Sequence, residues 1–448
     1  MPEPSHELIY GLNDRPPFKD TVFAALQHLL AIFVAIITPP LIISSALGFD
    51  IETTGFLVSM SLFVSGIATF IQCRCLGGIG TGLLCIQGTS FSFIGPIIGA
   101  GTLGMVGGHL NVEMALSYIF GACMVSSIVE MLVSRLLKYT RKIITPLVSG
   151  IVVTLIGMSL IKAGITSCGG GAAAQANGSF GSWQNLSIAA LVLVSIIFFN
   201  RSSNRFFRMG SIVLGLIIGS TVAYICGMVD FSKISSYSGF NIPIPFKYGL
   251  NFDISAIISL GLIYLITAIE AYGDITANSQ ISGEPMEGPI FMKRVSGGIL
   301  ADGINSCLAA VFNSFPNSIF AQNNGMIQLT GVASRYVGYY VAGALFVLGL
   351  FPAVGLVFSL IPDAVLGGAT LLMFGTVAAA GIRIIASTTI NRKSVLVMAV
   401  SFAMGLSVEM VPDILNQMPD MIKNIFSSAI TTGGLTAILT NALIRIKE

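Results

Sequence analysis

Residues 315–331 read FPNSIFAQNNGMIQLTG: a proline, three consecutive amides (Gln322, Asn323, Asn324), Gly325 and a closing Thr330-Gly331, set between two apolar runs. In a water-soluble loop such a stretch is ordinary. Here the surrounding chain is greasy: of 448 residues, 54% are hydrophobic and 9% charged, and the mean hydropathy is +0.88. A typical soluble domain is about 25% charged. Apolar runs of roughly 18–25 residues recur along the chain, the length that crosses a ~30 Å hydrocarbon layer. A soluble fold would expose more apolar surface than a monomer tolerates. The chain therefore reads as an all-α polytopic membrane protein, and the amides fall at membrane depth.

Breaking the chain at charged, Pro-rich and Gly-rich segments gives fourteen transmembrane segments. They lie near 21–47, 54–73, 82–100, 112–134, 143–163, 184–200, 209–229, 253–275, 296–313, 317–330, 334–351, 355–380, 394–411 and 422–444. With the N-terminus in the cytoplasm, eighteen of the 22 Lys and Arg residues fall in inner segments. Lys162, Lys233, Lys247 and Lys423 remain outside, an asymmetry of the kind that sets topology. Both termini are then cytoplasmic, and residues 1–20 form a leader rather than a cleavable signal, because the apolar run that follows is too long. Residues 230–252 serve as the linker between two seven-span halves. Trp183 stands at a span edge, where amphipathic rings anchor. The seven cysteines lie mostly in or beside apolar runs, and Cys73-Arg-Cys75 has the wrong spacing for a metal knuckle. The sequence implies no metal and no organic cofactor.

An odd number of spans per half makes the halves insert with opposite orientation, as two inverted seven-span repeats. The third span of each half is broken. Span three, GIGTGLLCIQGTSFSFIGPIIGAG (78–101), is interrupted by Gln87-Gly88-Thr89-Ser90 and then Pro96; span ten is interrupted by Pro316, the amides and Gly325. The alternation Ser90-Phe91-Ser92-Phe93 suits a short extended segment before a half-helix. Broken helices at matching places are the sequence mark of a transporter binding site. Non-helical backbone at that depth survives only where protein buries it or a cavity hydrates it. The N–H groups freed at each half-helix start carry roughly half an elementary charge and suit carbonyl oxygens or anions. A glycine kink for helix packing is the competing reading, but packing needs small residues and not three amides.

Four acidic residues lie well inside spans: Glu130, Glu270, Asp274 and Asp302. A charge at the bilayer centre costs at least ~2.5–3.5 kcal/mol, which makes each a functional candidate. In YLITAIEAYGDITANS (264–279), Glu270 and Asp274 are four residues apart and share a helix face. Two carboxylates that close disfavour joint ionisation, which suits a group that takes up and releases a proton. Asp302 sits in the glycine-rich SGGILADGINS (296–306). His28, on span one, is either a packing residue or a hydrogen-bond partner for these acids. Glu130, near the inner end of span four, is expected to form a structural ion pair with Arg135.

These motifs resemble those of the nucleobase–ascorbate transporter family, also called nucleobase:cation symporter family two. Residues 322–331 fit its signature: Gln, Glu or Pro, then Asn-x-Gly, four free positions, Thr, and a small or basic residue. DRPPF (14–18), QHLLAIFVAIITP (27–39), GTGLLCIQGTSFSF (80–93), ITPLVSGIVV (144–153), EAYGDITA (270–277), FPNSIFAQNNG (315–325) and VLGGATLLMFGT (365–376) resemble bacterial xanthine permeases of that family.

The resemblance implies a set of residue roles. Glu270 is the purine-binding carboxylate on span eight. Gln322 is the amide that reads the base, Asn323 shapes the site, and Gly325 belongs to the same signature. Phe91 stacks on the flat ring. Asp274, Asp302 and His28 support the site and its proton coupling. Ser90 stands where xanthine-selective relatives have Asn, which widens the expected range to urate.

The resemblance also implies an architecture. Spans 1–4 and 8–11 (21–138 and 253–351) form a core domain that holds substrate, and spans 5–7 and 12–14 (139–229 and 355–444) form a gate domain. The expected protein is a homodimer joined through the gate, surrounded by lipid in the bacterial inner membrane, with no nucleic-acid partner. Its expected activity is proton-coupled import of xanthine or urate by movement of core against gate.

Other classes fit less well. A urate- or uracil-selective member of the same family is the nearest alternative. Sulfate and bicarbonate carriers also oppose two half-helix ends, but an acid pair repels an anion, and the regulatory domain they commonly carry is not expected in a chain ending at Lys447-Glu448. An enzyme would call for a metal cluster or a nucleophile–base set, and no HExxH, GxSxG or phosphate-binding Gly–Lys loop occurs. A passive channel leaves the buried acids without a role.

Overall fold

A backbone in hydrocarbon has to satisfy its own N–H and C=O groups, so long apolar runs fold as long helices. The computed structural model describes residues 8–106, 109–140, 145–204, 207–208, 210–229, 242–419, 422–423, 426 and 428–444. Of the expected leader and linker, residues 1–7 and 230–241 lie outside that set. The chain opens with α1 (Phe18–Leu47), α2 (Ile51–Arg74), strand β1 (Gln87–Thr89), a 3-10 turn at Phe91–Phe93 and the half-helix α3 (Ile94–Gly101). A small hairpin of β2 (Met105–Val106) and β3 (His109–Leu110) leads into α4 (Val112–Thr140). Then come α5 (Pro146–Cys168), short α6 (Gly171–Ala176), α7 (Trp183–Asn200) and α8 (Ser211–Ile225). Next are α9 (Ile254–Ile281), α10 (Gly288–Val311), strand β4 (Asn317–Ile319) and the second half-helix, α11 (Ala321–Thr330). The chain closes with α12 (Arg335–Gly349), α13 (Pro352–Ser359), α14 (Asp363–Ala386), α15 (Arg392–Met410) and α16 (Ala429–Leu443).

Among the described residues, eight helices are long and apolar enough to cross a membrane, or nine if the bent pair α12–α13 counts as one. Their starts are fixed locally. The side chains of Asp50, Thr145, Ser182, Asp253 and Asn391 each accept a backbone N–H at the first turn of α2, α5, α7, α9 and α15, satisfying donors that the helix leaves open. Trp183, at the first position of α7, is 84% exposed, as an anchor at a span edge would be.

The two breaks meet. β1 and β4 pair antiparallel, with Gln87 opposite Ile319, Gly88 opposite Ser318 and Thr89 opposite Asn317. The ladder extends by one bond at each end, Ser90 N to Pro316 O at 2.9 Å and Phe320 N to Ile86 O at 3.0 Å. Each broken span thus supplies the hydrogen-bond partner that the other lacks. Gly88 is needed at the crossing, because a Cβ there would lie 2.6 Å from the Phe320 ring and from Ile36.

Three local expectations change. The extended segment is Gln87–Thr89, continued by Ser90, whereas Phe91–Phe93 turns as 3-10 helix. The amides and Gly325, expected to interrupt a span, lie within helix: β4 is the non-helical stretch, and the amides ride in the first turn of α11. Where a break between two spans was expected at 351–355, the structure has a bend. The chain bends by 80° between α12 and α13, and the next long helix starts at Asp363 instead of 355.

Long helices pack through glycines. α5 and α14 touch along Gly150, Gly157 and Gly381, and α2 and α12 along Gly66 and Gly349. Such small-residue seams let membrane helices approach to backbone distance. Further close pairs are α4 with α10, α7 with α8, and α15 with α16. A Cβ at Gly157 would lie 2.3 Å from Ala378 N, whereas one at Gly343 would meet open space. Gly157→Leu is therefore expected to cost about 1–3 kcal/mol or more through forced separation of α5 and α14. Thermal unfolding in detergent should show a clear fall for Gly157→Leu and none for Gly343→Ala.

Candidate substrate site

Both broken spans dock on one face of α9. Glu270, Asp274 and Asn278 are spaced by four residues along that helix and so line a single stripe. From the first break, Ser92 Oγ donates to Glu270 Oε2 at 3.3 Å. From the second, Asn324 Nδ2 donates to the Asp274 carbonyl at 3.2 Å. Asn278 Nδ2 donates to Asn324 Oδ1 and to the Leu84 carbonyl, both at 2.9 Å. The Leu84 carbonyl, just ahead of β1, also takes a bond from Asn323 Nδ2 at 2.5 Å. The amide cluster therefore ties the start of α11 to α9 and to the approach of β1. A run of amides suits this position, since each carries both donors and acceptors.

Asp302 anchors the first break from behind. On α10 and fully buried, it accepts from Gln72 Nε2 of α2 at 2.6 Å and from Gln87 Nε2 of β1. Asn305, one turn on, donates to Gln87 Oε1 at 2.9 Å. Gln72 closes the set by donating to the Gly298 carbonyl and accepting from Thr81 N. His28 of α1 is fully buried. Several atoms in this region are buried without a protein partner among the described residues: both His28 nitrogens, Asp274 Oδ2, Asp302 Oδ2 and Asn323 Oδ1.

Of the remaining sequence candidates, Phe91 is 7% exposed and meets Phe374 of α14 edge-on, with centroids 5.3 Å apart and planes at 86°. Ser90 is buried, its N–H committed to the strand ladder. Gln322 is half-buried in the first turn of α11, and Gly325 is exposed one turn along with open space beside it.

Glu130 departs from expectation. It forms no ion pair with Arg135, which is exposed; its carboxylate is buried between α4 and α9 and accepts from Thr267 Oγ1 at 3.2 Å. Helical phase turns Glu130 inward and Arg135 outward. The residues that sequence reasoning missed are Ser92, Asn278, Gln72 and Asn305. Asn278 carried a signal, its spacing from Glu270 and Asp274; Gln72 and Asn305 were isolated amides within apolar spans. The seven cysteines are free, and no group of three or more potential metal ligands occurs among the described residues.

The profile of the Permease family (Xan_ur_permease) matches residues 19–414. Xanthine permease XanP of Escherichia coli (strain K12) is 50% identical over 438 residues, 98% of this chain and 94% of that protein. Xanthine permease XanQ of the same strain is 45% identical over the same shares. Uric acid permease PucJ of Bacillus subtilis (strain 168) is 33% identical over 428 residues, 95% of this chain and 92% of that one. Among solved structures, the transmembrane domain of the cyanobacterial bicarbonate transporter BicA superimposes with a TM-score of 0.59 at 15% identity, covering 96% of this chain and all of that one. SLC26A9 superimposes with a TM-score of 0.62 at 12% identity, over 96% of this chain and 66% of that one. These two likenesses bear on the fold alone. The sequence matches bear on descent, and by them this chain is a multi-pass membrane permease rather than an enzyme, a member of the nucleobase–ascorbate transporter family.

Proposed function

We propose that the protein is a proton-coupled purine symporter that imports xanthine, with urate as a second substrate, across the bacterial inner membrane by alternating access. The observation that carries this reading is the shared docking face, where elements of both broken spans converge on Glu270 and Asp274 of α9. The substrate class follows the relatives named xanthine permease and uric acid permease.

In this reading Glu270 accepts ring N–H groups, Gln322 both donates to a ring carbonyl and accepts from an N–H, and Phe91 stacks on the ring. Ser90, Asn323 and Gly325 shape the pocket wall. Asp302, Asp274 and His28 hold and pass the coupled proton. Their buried, unpartnered atoms support that role, because such groups are rare in folded proteins and call for an explanation. The proton belongs to the linked set rather than to one acid.

Fourteen spans in two inverted repeats are the architecture of this proposal, with spans three and ten as β1–α3 and β4–α11. Helix pairing supports it. Exchanging the halves turns α2 with α12 into α4 with α10, and α7 with α8 into α15 with α16; α5 with α14 and β1 with β4 map onto themselves. The core (21–138 and 253–351) and gate (139–229 and 355–444) meet where α9 touches α5 and α16 and where α1 touches α14 and α8, again a pair of exchanged contacts. The lysine and arginine distribution supports cytoplasmic termini, and the exposed apolar faces of α7 and α15 offer gate surfaces for lipid or for a second copy in a homodimer.

Labelled xanthine uptake into energised cells tests the function: uptake should collapse when the proton gradient is dissipated, and gradient-independent flux would mean a channel. Glu270→Gln should keep the fold and lose accumulation by at least about tenfold, the scale of one charge-assisted hydrogen bond; full accumulation would remove Glu270 from the site. Asp302→Ala takes from Gln87 Nε2 its acceptor and from Gln72 Nε2 one of two, and should lower thermal stability by about 1–3 kcal/mol. Asp302→Asn should keep most of that stability yet fail to concentrate substrate. Ser90→Asn should shift preference from urate toward xanthine, read as the ratio of their inhibition constants.

A further inference from the structure

Where α1 ends and α6 begins, on the outer face in the proposed orientation, a cleft of about 510 Å³ separates two groups of helices. One wall is apolar, with Ile94 and Ile98 of α3 and Leu103 just beyond it. The lining also carries Lys162 of α5, Gln175 of α6 and Glu409 of α15. Phe91 bounds the cleft, and the next residue, Ser92, holds Glu270. The cleft thus reaches Phe91, the stacking residue of the proposed site. Lys162, Gln175 and Glu409 belong to neither half-helix nor to the acid stripe of α9.

The polar lining has a definite chemistry. Glu409 lies beside Ser159 and Lys162, and its Oε2 is buried with no partner among the described residues. Asp253, also on the cleft, is committed to capping α9 at Ala256 N. Beside the hydroxyls that also line the cleft, Glu409, Lys162 and Gln175 bring to it an unpartnered carboxylate oxygen, an ammonium donor and an amide. An inorganic anion would meet the free carboxylate oxygen. A planar neutral heterocycle with alternating N–H and C=O groups meets an acceptor, two donors and apolar side chains. The volume lies within the ~300–1,000 Å³ typical of small-molecule sites.

We propose that this cleft is a second, outer purine subsite, in which Glu409 accepts a ring N–H and Lys162 and Gln175 donate to ring carbonyls before the base passes Phe91 to the site on α9. The inference rests on the purine reading above and adds a gate-side contact to it.

Equilibrium binding of labelled xanthine to the purified full-length protein in detergent tests it. Wild type should bind two equivalents per chain. E409Q and K162Q should each bind one, still displaced by urate, and E270Q should bind one with the outer residues intact. In proteoliposomes, E409Q and K162Q should lower kcat/KM about threefold to tenfold, the scale of one lost charge-assisted hydrogen bond near the surface, with kcat retained. One equivalent in wild type, unchanged in both variants, overturns the subsite while leaving the transport function standing. Loss of all binding together with a lower melting temperature in E409Q also overturns it, because the residue would then be structural. Wild-type protein that binds and carries no purine overturns the proposed function, and the subsite falls with it.

Discussion

The constraint on which this structure depends is that two stretches of non-helical backbone, each buried among apolar helices, have to find hydrogen-bond partners without water. Neither Gln87–Thr89 nor Asn317–Ile319 can do so alone, and their antiparallel pairing answers the demand for both at once. β1 leads through a 3-10 turn into α3, and β4 leads into α11, so the crossing that satisfies the backbone also sets a helix N-terminus beyond each end of the ladder. Gly88 permits the crossing, and the Gln72–Asp302–Gln87–Asn305 cluster fixes it from behind. The polar residues that look extravagant in so apolar a chain are largely what makes an interrupted span tolerable.

Support and chemistry share the same residues here. Asn324 and Asn278 use their amides to bind α11 to α9, while Glu270, on the same stripe, has one hydroxyl partner and stays partly open. A stripe that is rigid at Asp274 and Asn278 and open at Glu270 holds a carboxylate at a fixed place without consuming its acceptor capacity. In the proposed mechanism that is what the site needs, since a preorganised acceptor need not be ordered when the base arrives.

The multi-spanning helical class was legible from composition and run length alone, and the two interrupted spans from their glycines, proline and amides. Local details were not. The extended segment was expected at Ser90–Phe93, where side chains alternate, but β1 lies at Gln87–Thr89 because a strand register is set by its partner, far along the chain. The bend between α12 and α13 had a visible cause in Pro352, yet its direction depends on Gly355 packing against Gly55. Glu130 misled for a related reason. Five residues from Arg135, it sits on another side of the helix, and only the packing of α4 on α9 reveals Thr267 as its partner. Spacing along the chain informs about one element at a time, whereas these features belong to pairs.

The likeness to BicA and SLC26A9 shows how little the architecture alone decides. A crossing of two strands with two half-helices presents positive helix ends, and those suit an anion as readily as a carbonyl oxygen. What departs from simple anion chemistry in this chain is the acid stripe of α9, with Glu270 directly beside the first break. A carboxylate in that position opposes an incoming anion but accepts from a ring N–H, while the helix ends serve the ring carbonyls. A heterocycle that displays both groups along one edge would use every part of such a site, and in the proposed symport the linked acids would take up their proton with the base and give it up with the base. On a fold open to several ligands, the proposed choice among them rests on the placement of one side chain.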